Sequence, residues 1–297
     1  MFKSGFIGII GRPNVGKSTL LNSIMGEKIA IVTPKPQTTR NRIMGIKNLE
    51  DGQFIFLDTP GIHKAGTPLN RYMVGAATAT LRSADLLLLL VEANAGVHRE
   101  DLFIIKSLPD VKLPVILVIN KIDLVKRETL LPLIDQFRHL FPFREIIPLS
   151  ALTSDGVPVL LGEIGKLLPE GPRYFPEDTI TDCSERFIAA EIVREKITLL
   201  THQEIPYATA VVVDTFREDE EKNLLRIQAT INCEKDSQKG ILIGKKGAML
   251  KEIGIQARKD MEKFFAVRIY LELFVRVKRD WTHNERMLRE FGYTNNP

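Results

Sequence analysis

The octapeptide GRPNVGKS, residues 11–18, has the G-x-x-x-x-G-K-S spacing of a loop that binds a chain of phosphates. Its two glycines permit the tight backbone path that turns N–H groups toward phosphate oxygens. Lys17 is expected to bridge the β- and γ-phosphates, and the Ser18 hydroxyl to bind Mg²⁺. A chance match in a turn is the weaker alternative, because a strand-like run precedes the loop and a helical pattern follows it. The residues predicted to surround the phosphates are Gly11, Arg12, Pro13, Asn14, Val15, Gly16, Lys17, Ser18 and Thr19.

The tetrapeptide DTPG, residues 58–61, ends the strand-like run FIFLD and supplies a second set of phosphate- and metal-binding groups. Asp58 is expected to hold Mg²⁺ through water, and the backbone N–H of Gly61 to sense a γ-phosphate. Thr59 and Pro60 complete this loop. The motif therefore predicts a site that responds to the third phosphate of a nucleotide.

Two later motifs indicate which base is bound. Asp123, in NKID at 120–123, can accept two parallel N–H bonds from guanine, whereas adenine would leave this carboxylate unpaired. A buried unpaired acceptor costs about 1–3 kcal/mol, so the motif favours GTP over ATP. Asn120 and Lys121 are expected to shape and cover the base pocket. A backbone N–H of the SAL segment is expected to reach the guanine oxygen; the segment comprises Ser150, Ala151 and Leu152.

Short apolar runs alternate with amphipathic segments over the first 168 residues. Continuous apolar runs of this length are typical of strands buried on both faces of a parallel sheet. The predicted fold is therefore a doubly wound α/β domain, whose motifs meet at the carboxyl ends of its strands. The predicted strands are FIGII (6–10), IAIV (29–32), FIFLD (54–58), LLLLLV (86–91), VILVIN (115–120) and EIIPL (145–149).

A change of composition near residue 168 indicates a second domain. We predict a first domain over 1–170, a flexible linker over 171–185 rich in proline and acidic residues, and an α+β domain over 186–297. The order of elements predicted for the second domain is helix, strand, strand, helix, helix, strand. Its segment 235–279 has a local charge of +7, while the rest of the chain has −3. The second domain is therefore the candidate for binding an acidic partner such as a nucleic acid.

The segment ILIGKKGAMLKEIG, 241–254, contains the I-x-G-x-x-G pattern of an RNA-binding loop between two helices. Glycines allow the loop backbone to approach an RNA backbone, while the lysines add positive charge. A lysine-rich solvated turn is the alternative. The residues expected to contact RNA are Ile243, Gly244, Lys245, Lys246 and Gly247.

Composition excludes several other classes of protein. The net charge of +4 is too small to predict nucleic-acid binding by itself, and two cysteines are too few for a disulfide scaffold or a zinc site. They are expected to be free thiols in a reducing cytoplasm. The longest apolar run, 86–91, is far shorter than a membrane span, and the N-terminus shows no secretory signal.

The motifs GRPNVGKS, PQTTR, DTPG, NKID and SAL, together with the second domain, resemble the Era family within the translation-factor-like class of P-loop GTPases. The resemblance covers nearly the whole chain. It implies a P-loop GTPase domain followed by a type II KH domain. It also implies a slow GTPase that binds GTP, GDP and Mg²⁺, and a monomer that is cytoplasmic with peripheral association at the inner membrane. The implied partners are a single-stranded segment near the 3′ end of 16S ribosomal RNA and the small ribosomal subunit, whose maturation the family assists.

The attacking water has no obvious activating side chain. Many small GTPases place a glutamine after D-x-x-G, but this chain has Ile62, with His63 as the weaker substitute. In GTPases that resemble this chain, an asparagine at the place of Asn14 helps to bind K⁺, which replaces an arginine finger. Thr39, with Thr38 as the alternative, is expected to bind Mg²⁺ in the GTP state. The residues expected to act in hydrolysis are Asn14, Lys17 and Thr39.

Arg40 and Arg42 are further finger candidates, although arginines in such a loop are more often solvated or RNA-facing. The segments 33–42 and 58–71 are the expected docking surface for the second domain. A GTPase that serves another process and an RNA-binding protein with a degenerate nucleotide domain remain as alternatives. Intact Lys17 and Asp123 argue against the second of these.

Overall fold

The structure is a computed structural model, and it describes residues 1–61, 66–108 and 112–293. Its first domain contains six strands: β1 (Lys3–Ile10), β2 (Ile43–Leu49), β3 (Gly52–Asp58), β4 (Leu86–Glu92), β5 (Val115–Asn120) and β6 (Glu145–Pro148). They form one sheet in the order β2-β3-β1-β4-β5-β6. All neighbours are parallel except β2, which pairs antiparallel with β3. This confirms the predicted doubly wound, mostly parallel fold.

Helices cover both faces of this sheet, because its central strands are apolar throughout. The helices are α1 (Lys17–Met25), α2 (Pro68–Ser83), α3 (Arg99–Ser107), α4 (Leu130–Arg138) and α5 (Val157–Leu167). One face packs against α1 and α5 in a core that includes Ile9 and Leu88. The other face packs against α3 and α4 through Leu89 and Ile119. The motif loops therefore leave the carboxyl edge of a rigid sheet.

The predicted strand IAIV, 29–32, is wrong. These residues form no strand, although Ile29, Ala30 and Ile31 are buried. The side chain of Asn22 accepts the N–H groups of Ile29 and Ala30 at 3.0 and 2.9 Å and donates to the Ala30 carbonyl at 2.8 Å. The Asn22 side chain thus supplies the hydrogen bonds that these backbone groups would receive from a neighbouring strand in a sheet. The edge strand β2 was missed, and it follows this segment.

The second domain has the predicted order of elements and a core of its own. Its elements are α6 (Glu185–Leu200), β7 (Ala210–Asp219), β8 (Leu224–Cys233), α7 (Asp236–Ile243), α8 (Ala248–Phe265), β9 (Arg268–Val277) and a short final helix α9 (Glu285–Glu290), which was not predicted. β8 lies between β7, to which it is antiparallel, and β9, to which it is parallel. Side chains of α6 and α8, among them Val193, Ala257 and Met261, pack on one face of this sheet.

The segment between the domains is hydrogen-bonded along the first domain over part of its length, and its predicted bounds stay a prediction. Gln53, fully buried on β3, accepts the N–H groups of Tyr174 and Phe175 at 2.8 and 2.9 Å and donates to the Phe175 carbonyl. Farther along, the N–H of Ile46 on β2 donates to the Ile180 carbonyl. No helix or strand lies between α5 and α6.

The two domains share a small apolar contact. Leu69 and Met73 of α2 pack against Ala210, Trp281 and Tyr293 of the second domain. Trp281 is fully buried, and its indole N–H donates to the Ala208 carbonyl at 2.9 Å. The helix that follows DTPG therefore rests on the C-terminal part of the chain. None of the helices in the described ranges combines the length and apolar character that crossing a membrane requires.

Replacement of Gln53 tests the bonded linker. Gln53→Leu keeps the volume of the buried side chain but leaves the linker amides without an acceptor. We expect a loss of about 1–3 kcal/mol in the free energy of unfolding, because buried amides lose their partner. Faster tryptic cleavage after Arg173 should accompany it. Urea denaturation and timed proteolysis measure the two effects. Gln256→Ala on α8, which removes a partly buried side chain that donates to Glu252, is the control. Unchanged cleavage in Gln53→Leu would contradict the role of Gln53 in holding the linker.

Candidate functional site

A cavity of about 500 Å³ opens at the carboxyl edge of the large sheet. It is lined by the phosphate loop, by segment 31–39, by Gly61 and by Lys121. The predicted phosphate-binding motif and its neighbours therefore surround one space. We call residues 27–42 the switch segment; its residues 31–34 and 37–39 line the cavity.

Lys17 begins α1 and is prepared for an anionic ligand. Gly16 precedes it in a left-handed conformation, with φ of 99°. The Lys17 ammonium donates to the carbonyls of Gly11 and Arg12 at 3.2 and 3.0 Å and is almost fully buried. Burial lowers the pKa of Lys17 to about 8, against the opposing attraction of Asp58. A phosphate would favour the charged form and offer the ammonium a stronger acceptor.

Ser18, Thr39 and Asp58 meet as predicted for a Mg²⁺ site. The Ser18 hydroxyl donates to Asp58 Oδ2 at 2.6 Å and lies 2.8 Å from the Thr39 hydroxyl oxygen. Asp58 Oδ1 is buried and has no hydrogen-bond partner in the part of the chain that the structure describes. Burial raises the pKa of Asp58 to about 6. Two hydroxyls beside an unpaired buried carboxylate oxygen fit Mg²⁺, which prefers oxygen ligands.

The two threonines that were alternatives for Mg²⁺ binding, Thr38 and Thr39, have different surroundings. The Thr38 hydroxyl donates to the Lys35 carbonyl at 2.7 Å and lies 2.6 Å from the Thr33 hydroxyl, within the switch segment. Only Thr39 approaches Ser18. This geometry favours Thr39 over Thr38 as the Mg²⁺ ligand, and that role stays a prediction.

The base-reading motifs are joined to the phosphate loop. Asn120 donates to the Val15 carbonyl at 2.8 Å and accepts the Ala151 N–H at 2.9 Å, so it connects three loops. The Ser150 hydroxyl donates to Asp123 Oδ1 at 2.5 Å, which orients the carboxylate. The structure thus brings the NKID and SAL segments together, although it gives the Ala151 N–H a protein acceptor. Leu152 is largely exposed.

A cluster of charges behind the base pocket was not predicted. Glu92, at the end of β4, accepts a hydrogen bond from Arg12 at 2.5 Å and another from Lys121. Lys121 also donates to the Asn14 carbonyl at 2.8 Å. Arg12 lies 3.3 Å from the buried Asp101. These ion pairs hold the lysine of NKID against the phosphate loop. Sequence reasoning missed Glu92 because nothing but its position after a predicted strand marks it.

The switch segment is anchored on the second domain. Arg40 is 2% exposed, and its guanidinium donates to the carbonyls of Pro206, Tyr207 and Thr209 and to the Tyr293 hydroxyl. Arg40 is therefore neither an arginine finger nor a solvated or RNA-facing residue. Segment 33–42 does form part of the docking surface, as predicted. Ile62 and His63 lie outside the described residues.

The predicted RNA-binding loop joins α7 to α8. Gly244 has φ of 74°, and a Cβ there would lie 2.7 Å from Met249 Cβ, so only glycine fits. Gly247 also has a positive φ of 81° and is the N-cap residue of α8. Lys245 and Lys246 are exposed between them, while Ile243 is half-buried. The loop therefore presents two ammonium groups on a backbone that RNA can approach closely.

Comparison with known families matches both domains. Residues 6–121 match the family described as 50S ribosome-binding GTPase, and residues 204–282 match the KH domain. The chain is 69% identical over 293 residues to the GTPase Era of Syntrophus aciditrophicus, covering 99% of this chain and 96% of the relative. It is 57% identical to the GTPase Era of Geobacter metallireducens, covering 99% and 98%.

Two crystal structures have the same overall fold. One is Era in complex with MgGDPNP and nucleotides 1506–1542 of 16S ribosomal RNA, with a TM-score of 0.96 and 42% identity. The other is a variant of Aquifex aeolicus Era bound to GDP·AlF₄⁻, with a TM-score of 0.96 and 43% identity. Each alignment covers 99% of this chain and all of the other.

Asp123→Asn tests the base reader. The asparagine amide donates where the carboxylate accepted, so the variant should lose affinity for GTP and gain affinity for xanthosine triphosphate, whose 2-oxygen accepts a hydrogen bond. Competition with a fluorescent nucleotide measures both affinities. Ser150→Ala, which removes the hydroxyl bonded to Asp123, should weaken GTP without reversing the preference. Wild-type affinity for GTP in Asp123→Asn would show that Asp123 does not read the base.

Proposed function

Because this chain belongs to the Era family of GTPases, we propose that it is a GTP-hydrolysing switch that binds the 3′ region of small-subunit ribosomal RNA and assists maturation of the small ribosomal subunit. The observation that carries the proposal is the contact between the switch segment and the domain with the G-K-K-G loop. A nucleotide-dependent change in the first domain is thereby transmitted to the domain that is built to bind RNA.

The nucleotide site contains groups that would stabilise the charge of the reacting phosphates. Lys17 is placed for the β- and γ-phosphates, and Ser18, Thr39 and Asp58 would hold Mg²⁺, which neutralises phosphate charge when bound. Charge stabilisation is the main task in phosphoryl transfer, since the protein does little covalent chemistry. The intact set favours a working GTPase over an RNA-binding protein with a degenerate nucleotide domain.

We propose that Asn14 binds K⁺, the cation expected to assist hydrolysis. This residue has a positive φ of 66°, and its amide nitrogen donates to the Pro34 carbonyl of the switch segment at 3.0 Å. The amide and the carbonyl each carry an oxygen of the kind that K⁺ binds. Asn14 and the Pro34 carbonyl would hold K⁺, which would supply positive charge during phosphoryl transfer.

The RNA partner is inferred from the loop and from the relative. Era crystallised with nucleotides 1506–1542 of 16S ribosomal RNA has the same fold at 42% identity, and this chain has a G-K-K-G loop of the required geometry. A KH groove reads about four unpaired bases. We therefore propose a single-stranded segment near the 3′ end of this RNA as the ligand. Cytoplasmic location, peripheral membrane association and a monomeric state stay predictions.

Potassium dependence tests the assignment of Asn14. GTP turnover should be faster in K⁺ than in Na⁺ at equal ionic strength, and Asn14→Ala should abolish the difference. Phosphate release at saturating Mg²⁺ and GTP is the measurement. Equal rates in the two salts, or a K⁺ effect that survives in Asn14→Ala, would refute the assignment.

Nucleotide-dependent RNA affinity tests the switch. If GTP favours the domain arrangement that frees the G-K-K-G groove, GTP and RNA favour each other reciprocally, and a coupling of about 1–3 kcal/mol changes RNA affinity roughly 5–150-fold. We expect tighter binding of the single-stranded 3′ segment with a non-hydrolysable GTP analogue than with GDP. Fluorescence anisotropy at one salt concentration measures both affinities, because lysine–phosphate contacts depend on salt.

The double variant Lys245→Glu/Lys246→Glu is the control for this measurement. It should lose RNA binding in both nucleotide states and keep nucleotide affinity, because both side chains are exposed and distant in sequence from the nucleotide motifs. RNA affinities that are equal with GDP and with the GTP analogue would mean that the domains are connected but uncoupled.

A further inference from the structure

Thr39 is held between two contacts to the second domain, one on each side along the chain. The carbonyl of Thr38 accepts a hydrogen bond of 2.5 Å from Arg194 on α6. The side chain of Arg40 is buried against residues 206–209 and Tyr293. The Thr39 hydroxyl lies between these contacts, 2.8 Å from the Ser18 oxygen. The contact of this hydroxyl with the first domain is on the side where Mg²⁺ is expected.

Arg194 is itself fixed before it reaches the switch segment. Its Nε and Nη2 donate to the two carboxylate oxygens of Glu191, one turn earlier on α6, at 2.7 and 2.5 Å. Arg194 is 2% exposed. A planar guanidinium held in two bonds by a carboxylate has one orientation, so its remaining donors point in a defined direction. The bond to Thr38 thus extends from a rigid helix.

Arg40 holds the other side with an equally restricted geometry. Three carbonyls from one short loop and one phenol accept its Nη1 and Nη2 donors at distances between 2.7 and 3.1 Å. Because these partners surround a buried cation, the side chain cannot leave without exposing or orphaning that charge. The backbone at residue 40 is therefore as fixed as the second domain itself.

We infer that Arg194 and Arg40 are positioning residues for the Mg²⁺–GTP state, and that the second domain supplies the rigidity which keeps Thr39 at the metal. Neither arginine is among the residues that line the nucleotide cavity. Each would therefore act on Thr39 through the backbone beside it. In most arrangements of a phosphate loop and a switch, the third phosphate must order the switch by itself. In the docked arrangement, α6 and the loop at 206–209 also hold this segment, which lowers the cost of ordering it when Mg²⁺ and GTP bind.

The inference rests on the proposed role of Thr39. Its test is a Mg²⁺ titration of GTP turnover, with the affinity for GDP measured beside it. Arg194→Ala and Arg40→Ala should each raise the Mg²⁺ concentration for half-maximal GTP turnover by roughly tenfold, since a charge-assisted hydrogen bond contributes enough to change an equilibrium about tenfold. Affinity for GDP should stay within about twofold, because Thr39 is needed only when the third phosphate is present. Arg194→Lys should give an intermediate Mg²⁺ requirement. A lysine ammonium lacks the planar fork with which the guanidinium bonds Glu191 and Thr38 together.

Lys28→Ala is the matched interface control. Lys28 joins the switch segment to Glu195 and Asp260, but Lys196 pairs with the same two carboxylates, so their charge stays compensated. Its Mg²⁺ requirement should equal that of the wild type. Circular dichroism and the GDP affinity report whether each variant is folded.

Thr39→Ala separates the two ways of failing. If Thr39→Ala does not change the Mg²⁺ requirement, the proposed role of Thr39 is wrong, and the inference with it. If Thr39→Ala raises the requirement but both arginine variants that bind GDP normally behave as wild type, the role of Thr39 stands and the positioning inference is overturned. An equal loss of GDP and GTP affinity in the arginine variants would also overturn it, since that result indicates a general structural effect.

Discussion

A guanidinium cannot be buried without acceptors, and the burial of Arg40 determines how the two halves of this protein meet. An unpaired charge in a protein interior costs several kcal/mol, so the four oxygens that surround Arg40 must come together wherever its side chain is buried. Three of them are backbone carbonyls and cannot be removed by substitution of side chains. The path of the switch segment follows from this constraint, as does the place of Thr39 beside Ser18.

The rest of the interface is mostly polar, in contrast to the two cores. A network of alternating charges joins the switch segment, α6 and α8. It consists of Lys28, Glu195, Lys196 and Asp260. Lys35 donates to carbonyls at the C-terminal end of α6, where the helix dipole favours a cation. Its apolar part includes the cluster around Trp281 and the packing of Phe187 on α6 against the core of the first domain. Polar contacts of this kind can be exchanged for water at moderate cost, which suits domains that change their arrangement.

Local motifs were predictable from the sequence, whereas contacts between distant segments were not. The phosphate loop, DTPG, NKID and the G-K-K-G loop each depend on residues that are adjacent in the chain, and each has the expected position and geometry. IAIV was mistaken for a strand because periodicity cannot show that Asn22 satisfies its backbone. Arg194 is 156 residues from Thr38, so no local pattern connects them. The same holds for Glu92, which is significant only because Arg12 and Lys121 converge on it.

The linker that is hydrogen-bonded along β2 and β3 limits how far the domains can separate. The Thr181 hydroxyl donates to the Met44 carbonyl at 2.7 Å, and α6 begins at Glu185. Residues 182–184 therefore connect the hydrogen-bonded part of the linker to the second domain. Three extended residues reach about 10 Å. After undocking, a second domain on so short a connection stays at high effective concentration near its docking surface on the first domain. Release and return of the domains would then be hinge-like rotations about residues 182–184, whose rates do not depend on the concentration of the protein.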